Sequence, residues 1–560
     1  MVNFKSNKVA PTIQKRRGGY YTPLPLAEFL ASWAIRSGAE SVLEPSCGDG
    51  NFVEMAARRL NGEGKITAVE LFDEELEQAK DRVRGASAAT RWLAGDFFHH
   101  FEDVRAEAPF DVVLGNPPFI RFQHFDADTR DRAFAHLRSY GYSPNKLANA
   151  WCAFIQLSAE LVAPDGRMAM VVPAELLQVG YARELRDKLP HLFRDIVLVA
   201  FEELVFPDIQ QEVVLLLAEG RTRSPSNSGS FHTIRARNGA DLLRSNLLED
   251  RVEHLPVRHT REGMKWTSLF LENAEFDTLD EVHRNPLVTP LSDYARVDVG
   301  IVTGRNSFFV VTKDEADRIG VNGHALPTVG RTSALRSIIF DKEDFEQYQT
   351  SNPSRLISLQ GIGKDRFSAA LKKYLESGEA EGVHLGYKCS IRPRWFDVPS
   401  VYVPDAFLFR QIHNAPYLVA NRAGATATDT IHRVRIEEGI DRDRLCASSI
   451  NSLTFAWSEV CGRSYGGGVL ELEPREAEEL PSLYKFAEGL DIDHIDLCLR
   501  SGDVVRALKH SDQVLLREGL GLSAASVARL NQAWQTLRDR RQRRRRSAPQ
   551  AEAQVRAVDL

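Results

Sequence analysis

Short apolar runs alternate with amphipathic segments over the first 220 residues of the chain. Seven of these runs are rich in β-branched residues and predict strands: Ser41–Pro45, Ile66–Leu71, Arg91–Asp96, Phe110–Asn116, Arg167–Pro173, Asp195–Phe201 and Glu212–Ala218. Apolar residues at helical spacing lie between them, at Leu24–Ser37, Phe52–Leu60, Glu74–Val83, Leu147–Val162 and Ala174–Leu189. Apolar strands separated by helices predict an α/β fold with a mostly parallel, seven-stranded sheet that is covered on both faces. The ligand site of such a sheet lies at the carboxyl ends of its strands.

The alternation of strands and helices stops at a polar stretch, residues 219–229, which we interpret as a connection out of the sheet. The chain that follows has short apolar runs, such as Ser307–Thr312, and Gly-containing loops, which predict a second, α+β region. From Arg538 the chain is rich in Arg, Gln, Ala and Pro without apolar periodicity, and we expect it to be disordered. The sequence therefore predicts three parts, which are residues 1–236, residues 237–537 and a basic tail, residues 538–560.

Composition and charge are those of a globular protein without a membrane span. Of the 560 residues, 43% are hydrophobic and 26% are charged, and no run of eighteen apolar residues occurs. The first residues lack the pattern of a signal peptide, and the six cysteines form no CxxC pair, which argues against a metal site and favours a reducing, cytoplasmic location. The net charge of −6 does not indicate nucleic-acid binding, although basic clusters occur at Lys15–Arg17, Arg392–Arg394 and Arg538–Arg546.

Glycines follow the first predicted strand, in the turn Glu44-Pro45-Ser46-Cys47-Gly48-Asp49-Gly50. Glycine lets a backbone approach a ligand closely, although a tight turn without a ligand has the same pattern. The next two strands end in acidic residues, Glu70 and Asp96, and Phe97 follows the second. A carboxylate at the first place can accept hydrogen bonds from ribose hydroxyls, and one at the second can accept from an adenine amino group. Their equal placement on consecutive strand ends favours a shared nucleotide site over solvated strand-end acids.

The fourth predicted strand runs into the loop Asn116-Pro117-Pro118-Phe119. The prolines fix their own φ and restrict the residues before them, so the loop is a stiff platform. It presents the Asn116 amide, the Pro117 carbonyl and the Phe119 ring. Two acceptors aimed at a planar amino group draw its nitrogen lone pair toward an electrophilic methyl group, and an aromatic face holds a flipped base by stacking. The loop therefore predicts methylation of a planar nitrogen.

In this order, over residues 18–218, the motifs resemble those of class I S-adenosylmethionine (SAM)-dependent methyltransferases, specifically the gamma-class N6-adenine DNA methyltransferases of the TaqI type. The resemblance implies a Rossmann-like catalytic domain whose cofactor residues are Tyr21, Thr22, Glu44, Pro45, Cys47, Gly48, Gly50, Glu70, Asp96, Phe97 and Pro118, with Phe154 as a looser match. It also implies that Asn116, Pro117, Pro118 and Phe119 are catalytic, with Phe119 in place of the commoner tyrosine. Phe206, within Glu203–Pro207, resembles a second base-stacking residue, with a core position as the alternative.

The second half resembles, more diffusely, the target-recognition regions of such enzymes. Its small polar loops carry arginines that suit contacts to phosphates and base edges, and structural turns are the alternative interpretation. The candidate DNA contacts are Arg305, Arg392, Arg394, Arg433 and Arg463.

The expected function is sequence-specific methylation of adenine N6 in double-stranded DNA by base flipping, with SAM as cofactor, in a restriction–modification system. A separate restriction endonuclease is the expected partner, because no nuclease motif is evident in the chain. The open alternatives are methylation of guanine N2 in ribosomal RNA, methylation of protein glutamine, and a SAM-binding subunit without its own activity. The long chain after residue 236 favours DNA, and Asn116 disfavours cytosine N4 methylation, which normally has Ser or Asp at that place.

Overall fold

The computed structural model describes residues 21–86, 88–203, 205–206, 212–222, 229–244, 252–465 and 468–546. The basic cluster Lys15–Arg17, Pro207 and the chain after Arg546 lie outside these ranges. The chain divides into two compact units. The first holds the residues up to Asn273, Tyr465–Gly468 and the residues from Gln542, and the second holds Ala274–Ser464 and Val469–Arg541.

One sheet organises the described part of the first unit. Its eight strands are β1 (Ser41–Glu44), β2 (Lys65–Glu70), β3 (Ala89–Ala94), β4 (Phe110–Gly115), β5 (Val162–Pro173), β6 (Phe193–Phe201), β7 (Val213–Arg221) and β8 (Ser230–Ala236). They lie in the order β3-β2-β1-β4-β5-β7-β6-β8. All neighbouring strands run parallel except that β7 is antiparallel to both β5 and β6. The predicted mostly parallel sheet is therefore confirmed.

The predicted number of seven strands is wrong, because β8 adds an eighth. It pairs in parallel with β6, with Asp195 opposite Ser230 and Phe201 opposite Ala236. Its side chains are only partly buried, so the apolar pattern of this segment is weaker than that of the inner strands. The chain next to β8 also packs on it, since the rings of Phe231 and Trp266 meet edge to face at 5.1 Å between centroids. The first unit consequently extends to Asn273, beyond the sequence-based boundary at residue 236.

Helices connect the strands and bury their apolar faces. They are α1 (Leu24–Ala34), α2 (Asn51–Arg59), α3 (Asp73–Arg82), α4 (Phe101–Glu107), α5 (Ala127–Ser139), α6 (Ala150–Glu160), α7 (Arg183–Leu192) and α8 (Gly239–Arg244). In α1 the residues Leu26, Phe29 and Leu30 are fully buried, and they belong to a core cluster that also contains Val112 and Leu114 of β4. This core holds the strand ends in fixed positions, and the candidate site lies at those ends.

The second unit combines short strands with helices. Its strands are β9 (Thr289–Pro290), β10 (Ala295–Asp298), β11 (Val310–Val311), β12 (Ala325–Val329), β13 (Ile339–Phe340), β14 (Arg355–Ile357), β15 (Ala406–Phe409), β16 (Gln411–Ile412), β17 (Leu418–Asn421), β18 (Thr426–Ala427), β19 (Ile431–Ile436), β20 (Arg463–Tyr465), β21 (Val469–Glu471) and β22 (Pro481–Ser482). Its helices are α9 (Asn273–His283), α10 (Asn306–Phe309), α11 (Lys313–Ile319), α12 (Lys342–Gln349), α13 (Ala369–Ala380), α14 (Tyr387–Ser390), α15 (Arg442–Ser448), α16 (Ser452–Cys461), α17 (Pro474–Glu478), α18 (Ile492–Arg500), α19 (Val504–Asp512), a π-helix (Gln513–Gly519) and α20 (Ala524–Arg546). Strands β10, β19, β15, β17 and β13 form the largest sheet that the structure describes here.

Helix α20 contains the start of the predicted disordered tail. The prediction is wrong as far as Arg546, where the helix ends. Arg541 is 1% exposed and forms two hydrogen bonds with Glu459 of α16, at 2.9 and 2.6 Å. Composition alone did not reveal this buried ion pair, because its acidic partner is 82 residues away in the sequence. Within the described ranges, every helix is too short or too polar to cross a bilayer.

Candidate active site

A pocket lies at the carboxyl ends of β1, β2, β3 and β4, inside the first unit. Its walls come from the turns after these strands and from the segment before α1. The predicted cofactor residues that line it are Tyr21, Thr22, Pro45, Cys47, Gly48, Glu70, Asp96, Phe97 and Pro118, together with Asn116 and Phe154. The structure thus brings one end of the predicted catalytic loop into the same cavity as most of the predicted cofactor residues.

The glycine turn after β1 shapes the floor of this pocket. Gly48 has a φ of +53°, and a Cβ atom there would lie 3.8 Å from the Tyr21 ring. Gly50 has a φ of +90°, and a Cβ atom there would lie only 2.6 Å from the Cα atom of Ala79 in α3. Gly48 therefore lines the pocket, whereas Gly50 is needed behind it, where the backbones of the turn and α3 approach each other.

Two carboxylates stand on neighbouring walls. The oxygens of Glu70 accept hydrogen bonds from the backbone amides of Gly48 (2.8 Å) and Phe72 (2.9 Å), which fixes the carboxylate at the strand end. Asp96 accepts from the Phe98 amide at 2.8 Å. Burial raises the pKa of both carboxyl groups above their usual values. Each carboxylate oxygen has a second lone pair, so both can still accept hydrogen bonds from a ligand.

Buried acceptors without partners surround the same turn. Among the described residues, no hydrogen-bond donor reaches the carboxylate oxygens of Glu44, Thr22 Oγ1 or Asn51 Oδ1. Glu44 is 1% exposed, and burial, reinforced by the nearby charges of Glu70 and Asp49, raises its pKa well above the usual value. Buried polar atoms are usually paired, so these acceptors fit a ligand that brings its own donors. The described residues hold no cluster of three or more His, Cys, Asp and Glu side chains suited to a metal ion.

Aromatic rings form the wall beside Asp96. Phe97 stacks on Phe154, with 5.0 Å between ring centroids and 24° between ring planes. Phe125 also lines the pocket, and its ring centroid lies 5.3 Å from that of the buried Phe122. Flat apolar faces next to a carboxylate suit a planar heterocycle that carries an amino group.

The Asn116–Phe119 loop is tied to the glycine turn. The Ser46 hydroxyl donates to the Asn116 carbonyl oxygen at 3.3 Å, and this contact joins residues that are 70 positions apart. Gly115 precedes the loop with a φ of +156°, and a Cβ atom there would lie 2.9 Å from Glu44 Oε1. Asn116 and Pro118 line the pocket, Pro117 is buried, and Phe119 is half-buried against the core of the first unit. The chain can therefore present an amide and a carbonyl beside the cofactor-like pocket.

Two family models match successive parts of the chain. The model described as the Eco57I restriction-modification methylase matches residues 47–206, which contain the glycine turn, both carboxylates and the Asn116–Phe119 loop. The model described as the C-terminal domain of the type II methyltransferase M.Eco57I matches residues 263–516.

Over these two ranges the chain resembles the Eco57I-type restriction-modification methylases. The family resemblance inferred from the motifs is thereby confirmed, and methyltransferases of this kind use S-adenosylmethionine as methyl donor.

Relatives match this chain over most of its length. It is 22% identical over 517 residues to the type II methyltransferase M.AccI of Acinetobacter calcoaceticus, covering 87% of this chain and 92% of that protein. It is 23% identical to the type II methyltransferase M.XamI of Xanthomonas campestris pv. amaranthicola, covering 84% of this chain and 86% of that protein. Over a shorter stretch, 155 residues, it is 31% identical to a tRNA1(Val) (adenine(37)-N6)-methyltransferase of Aeromonas hydrophila subsp. hydrophila, covering 26% of this chain and 57% of that protein.

Solved structures resemble this chain more distantly. The DrdV–DNA complex has a TM-score of 0.48 and 11% identity, covering 87% of this chain and 57% of that chain. The type IIG restriction endonuclease BpuSI has a TM-score of 0.41 and 14% identity, covering 96% of this chain and 68% of that chain. The family assignment therefore depends on the sequence matches.

Phe206 lies in the core of the first unit. It is 6% exposed and does not line the pocket, so the core alternative describes its position in this structure. Its burial gives no support to a role as a second stacking residue, and that role stays a prediction.

Most of the arginines expected to contact DNA have internal partners instead. Arg433 is 3% exposed, donates to the carbonyl oxygens of Val299 and Ser400, and lies 4.0 Å over the Tyr402 ring. Its burial gives no support to a contact with DNA, and that assignment stays a prediction.

Arg394 and Arg463 form ion pairs on the surface of the second unit. Arg394 binds both carboxylate oxygens of Asp397, and Arg463 pairs with Glu476 at 3.0 Å. Arg305 is exposed, so it stays the most accessible of the predicted contacts.

Sequence reasoning missed several pocket residues. Asn51 directly follows the glycine turn, where polar residues are common with or without a ligand. Glu75 lines the pocket from α3 and accepts a hydrogen bond from the Tyr21 hydroxyl at 3.1 Å. A carboxylate two residues into a helix is also a usual helix-terminus residue, so the sequence offered no signal for this contact.

Proposed function

We propose that this chain transfers the methyl group of SAM to the N6 amino group of adenine in double-stranded DNA. The observation that carries the proposal is the shared cavity: Asn116 and Pro118 line the same pocket as Glu70 and Asp96. The amide that would bind an amino group thus stands beside the carboxylates that would bind a nucleoside cofactor. The chain would act in a restriction–modification system beside a separate restriction endonuclease.

The residues of the pocket fit SAM. Glu70 would accept hydrogen bonds from the ribose hydroxyls, and Asp96 would accept from the adenine amino group, with Phe97 and Phe154 against the ring. The unpartnered oxygens of Thr22 and Asn51 would accept from the ammonium group of the methionine part. When bound, SAM supplies a methyl group on a positively charged sulfur, which makes that carbon electrophilic.

The Asn116–Phe119 loop would prepare the target nitrogen. The Asn116 side-chain oxygen and the Pro117 carbonyl oxygen would each accept a hydrogen bond from one N–H of the flipped adenine's amino group. These two bonds would turn the nitrogen lone pair away from the ring and toward the methyl carbon. Phe119 would stack on the base. Attack by the adenine amino nitrogen would form the new C–N bond as the methyl–sulfur bond of SAM breaks, and the protonated amino group would then lose a proton to water. No covalent enzyme intermediate and no general base are required.

Two groups of relatives support the base and the polymer. The tRNA1(Val) methyltransferases that match part of the chain are named for adenine N6 chemistry, which supports adenine as the base. The type II methyltransferases match both units of the chain, and this supports DNA as the polymer. Together with Asn116, these similarities favour adenine in DNA over guanine in ribosomal RNA and over protein glutamine.

The test is expression in a host that lacks DNA methylation, followed by mass spectrometry of the nucleosides and single-molecule sequencing of the DNA. We expect N6-methyladenine at one defined sequence motif. Asn116→Ala should reduce methylation about 100- to 1,000-fold, because it removes one of the two acceptors that polarise the amino group. Calorimetry should give an unchanged SAM dissociation constant for this variant.

Each alternative predicts a different result. Methylated guanine in ribosomal RNA without methylated adenine in DNA would identify an RNA enzyme. SAM binding without methyl incorporation into any nucleic acid would identify a subunit that needs a partner for activity. Near-normal turnover by the Asn116→Ala variant would contradict the proposed role of the loop.

A further inference from the structure

Four large apolar side chains are exposed together on the second unit. Leu385 is 72% exposed, Tyr387 73% and Ile391 62%, and the neighbouring Val302 is 37% exposed. Such side chains are normally buried, and an exposed group of them marks a surface that binds another molecule. We call residues 302–305 and 385–391 together the 302/385 surface.

The two segments of this surface are fastened to each other. The Arg392 guanidinium donates to the carbonyl oxygens of Val302 (3.1 Å) and Thr303 (2.9 Å). Gly304 has a φ of +88°, and a Cβ atom there would lie 3.1 Å from the Cβ atom of Lys388, so glycine permits this close packing. Cys389 is 1% exposed and anchors the second segment in the core. The exposed tips therefore stand on a rigid base, which lowers the entropic cost of binding.

Two exposed cations flank the apolar tips. Residues 299–312 and 382–396 contain no Asp or Glu, although the whole chain has a net charge of −6. Lys388 and Arg305 are exposed within these segments. The nearest acids in the sequence are Asp298 and Asp314 beside the first segment, and Glu381 and Asp397 beside the second. Asp298 is paired with Arg435 and Asp397 with Arg394. Asp429 accepts a hydrogen bond from Asn306. The core of a protein–protein interface usually contains few charged residues. In duplex DNA, base edges that can contact apolar side chains lie between rows of phosphates that bind cations. Apolar side chains flanked by cations therefore fit DNA better than a protein partner.

We propose that the 302/385 surface contacts duplex DNA. Leu385, Tyr387 and Ile391 enter a groove and contact base edges or sugars, while Lys388 and Arg305 contact phosphates on either side. The proposal relies on the proposed function only in taking DNA as the substrate. It assigns DNA binding to exposed apolar residues that neither the motifs nor the family match single out.

The test compares two sets of alanine substitutions in the full chain. The test variant is Leu385→Ala/Tyr387→Ala/Ile391→Ala. The matched control is Leu497→Ala/Val505→Ala, which removes side chains of the same unit that are equally exposed, at 67% and 73%. The probe is a fluorescein-labelled duplex of about 30 base pairs, a length that exceeds one protein footprint. It carries the methylated motif, or a random sequence if the wild-type chain methylates none.

We expect the test variant to weaken binding of the duplex about tenfold and to raise the KM for DNA, with kcat and SAM affinity close to wild type. The control should bind like the wild type. Lys388→Ala/Arg305→Ala should reduce the slope of log K against log salt by about 2, because two phosphate contacts are lost. Thermal unfolding should be unchanged in all variants, since the replaced side chains are exposed.

Equal binding by the test variant and the wild type would overturn the inference while leaving the proposed function intact. So would an equal loss in the control. If the test variant instead changes the oligomeric state without changing DNA binding, the surface is a protein interface and the inference fails. If the wild-type chain neither binds nor methylates DNA, the proposed function itself fails.

Discussion

Replacing Arg541 tests directly whether its buried ion pair with Glu459 stabilises the second unit. The Arg541 and Glu459 side chains are 2% and 3% exposed and face each other with two short hydrogen bonds. Arg541 also donates to the carbonyl oxygens of Ile412 and His413. Arg541→Ala would leave the Glu459 carboxylate buried without its counter-charge. That change costs about 3–5 kcal/mol, because the penalty of burying an ion is no longer offset by its partner.

The assay is hydrogen exchange measured by mass spectrometry on the full chain, since it follows one segment at a time. Amides of α16, the helix that carries Glu459, should exchange at least about 100-fold faster in Arg541→Ala than in the wild type, as expected for a loss of about 3 kcal/mol. Arg538→Ala is the matched control in the same helix. Its partner Asp539 is 44% exposed, so the loss should stay below about 1 kcal/mol.

A double variant separates the ion pair from the packing of the helix. Arg541→Met/Glu459→Met replaces both charges by apolar groups and should recover most of the protection lost in Arg541→Ala. The reasoning would be refuted if the opening free energy of the α16 amides in Arg541→Ala stayed within about 1 kcal/mol of the wild-type value. That result would mean that α20 does not depend on this contact.

Three further predictions concern the pocket and a buried acid. Burial raises the pKa of Glu70 and Asp96, so calorimetry should show SAM affinity falling as the pH drops from about 8 to about 5, and Glu70→Gln should weaken binding throughout. Gly50→Ala should lower the melting temperature more than Gly85→Ala, because both have a φ of +90° but only Gly50 faces a backbone at 2.6 Å. Burial raises the pKa of Asp512 to about 6, so the folded state holds this proton more tightly than the unfolded chain. Stability measured by urea unfolding should therefore fall by about 2 kcal/mol as the pH rises from about 4 to about 7, and Asp512→Asn should remove this dependence.

The first unit was largely predictable because its strands are apolar over short, separate runs. The ends of the first four predicted strands brought chemically distinctive residues to the same edge of the sheet, so Glu70, Asp96 and Asn116 could be assigned to one site. The eighth strand was missed because β8 is partly exposed and pairs with β6 across the long polar stretch. Its position depends on tertiary packing that leaves a weak pattern in the sequence.

The second unit was less predictable because the partners of its charged residues are distant in the sequence. Arg433 and Arg541 look like surface cations, yet each is buried by carbonyl or carboxylate groups from other segments. Conversely, Leu385 and Tyr387 are apolar and would be expected inside, yet both are exposed. Residue type alone could not separate these cases, since burial depends on which segments meet.

Gly115 and Glu44 also set a condition on how this family can vary. A Cβ atom at position 115 would approach the Glu44 carboxylate to 2.9 Å, and both residues are held by adjacent buried strands. A single substitution at position 115 therefore forces an ionisable side chain out of its place. In an alignment of relatives, any residue larger than glycine at position 115 should occur together with a shorter side chain at position 44. The two positions should thus change as a pair during evolution rather than drift independently.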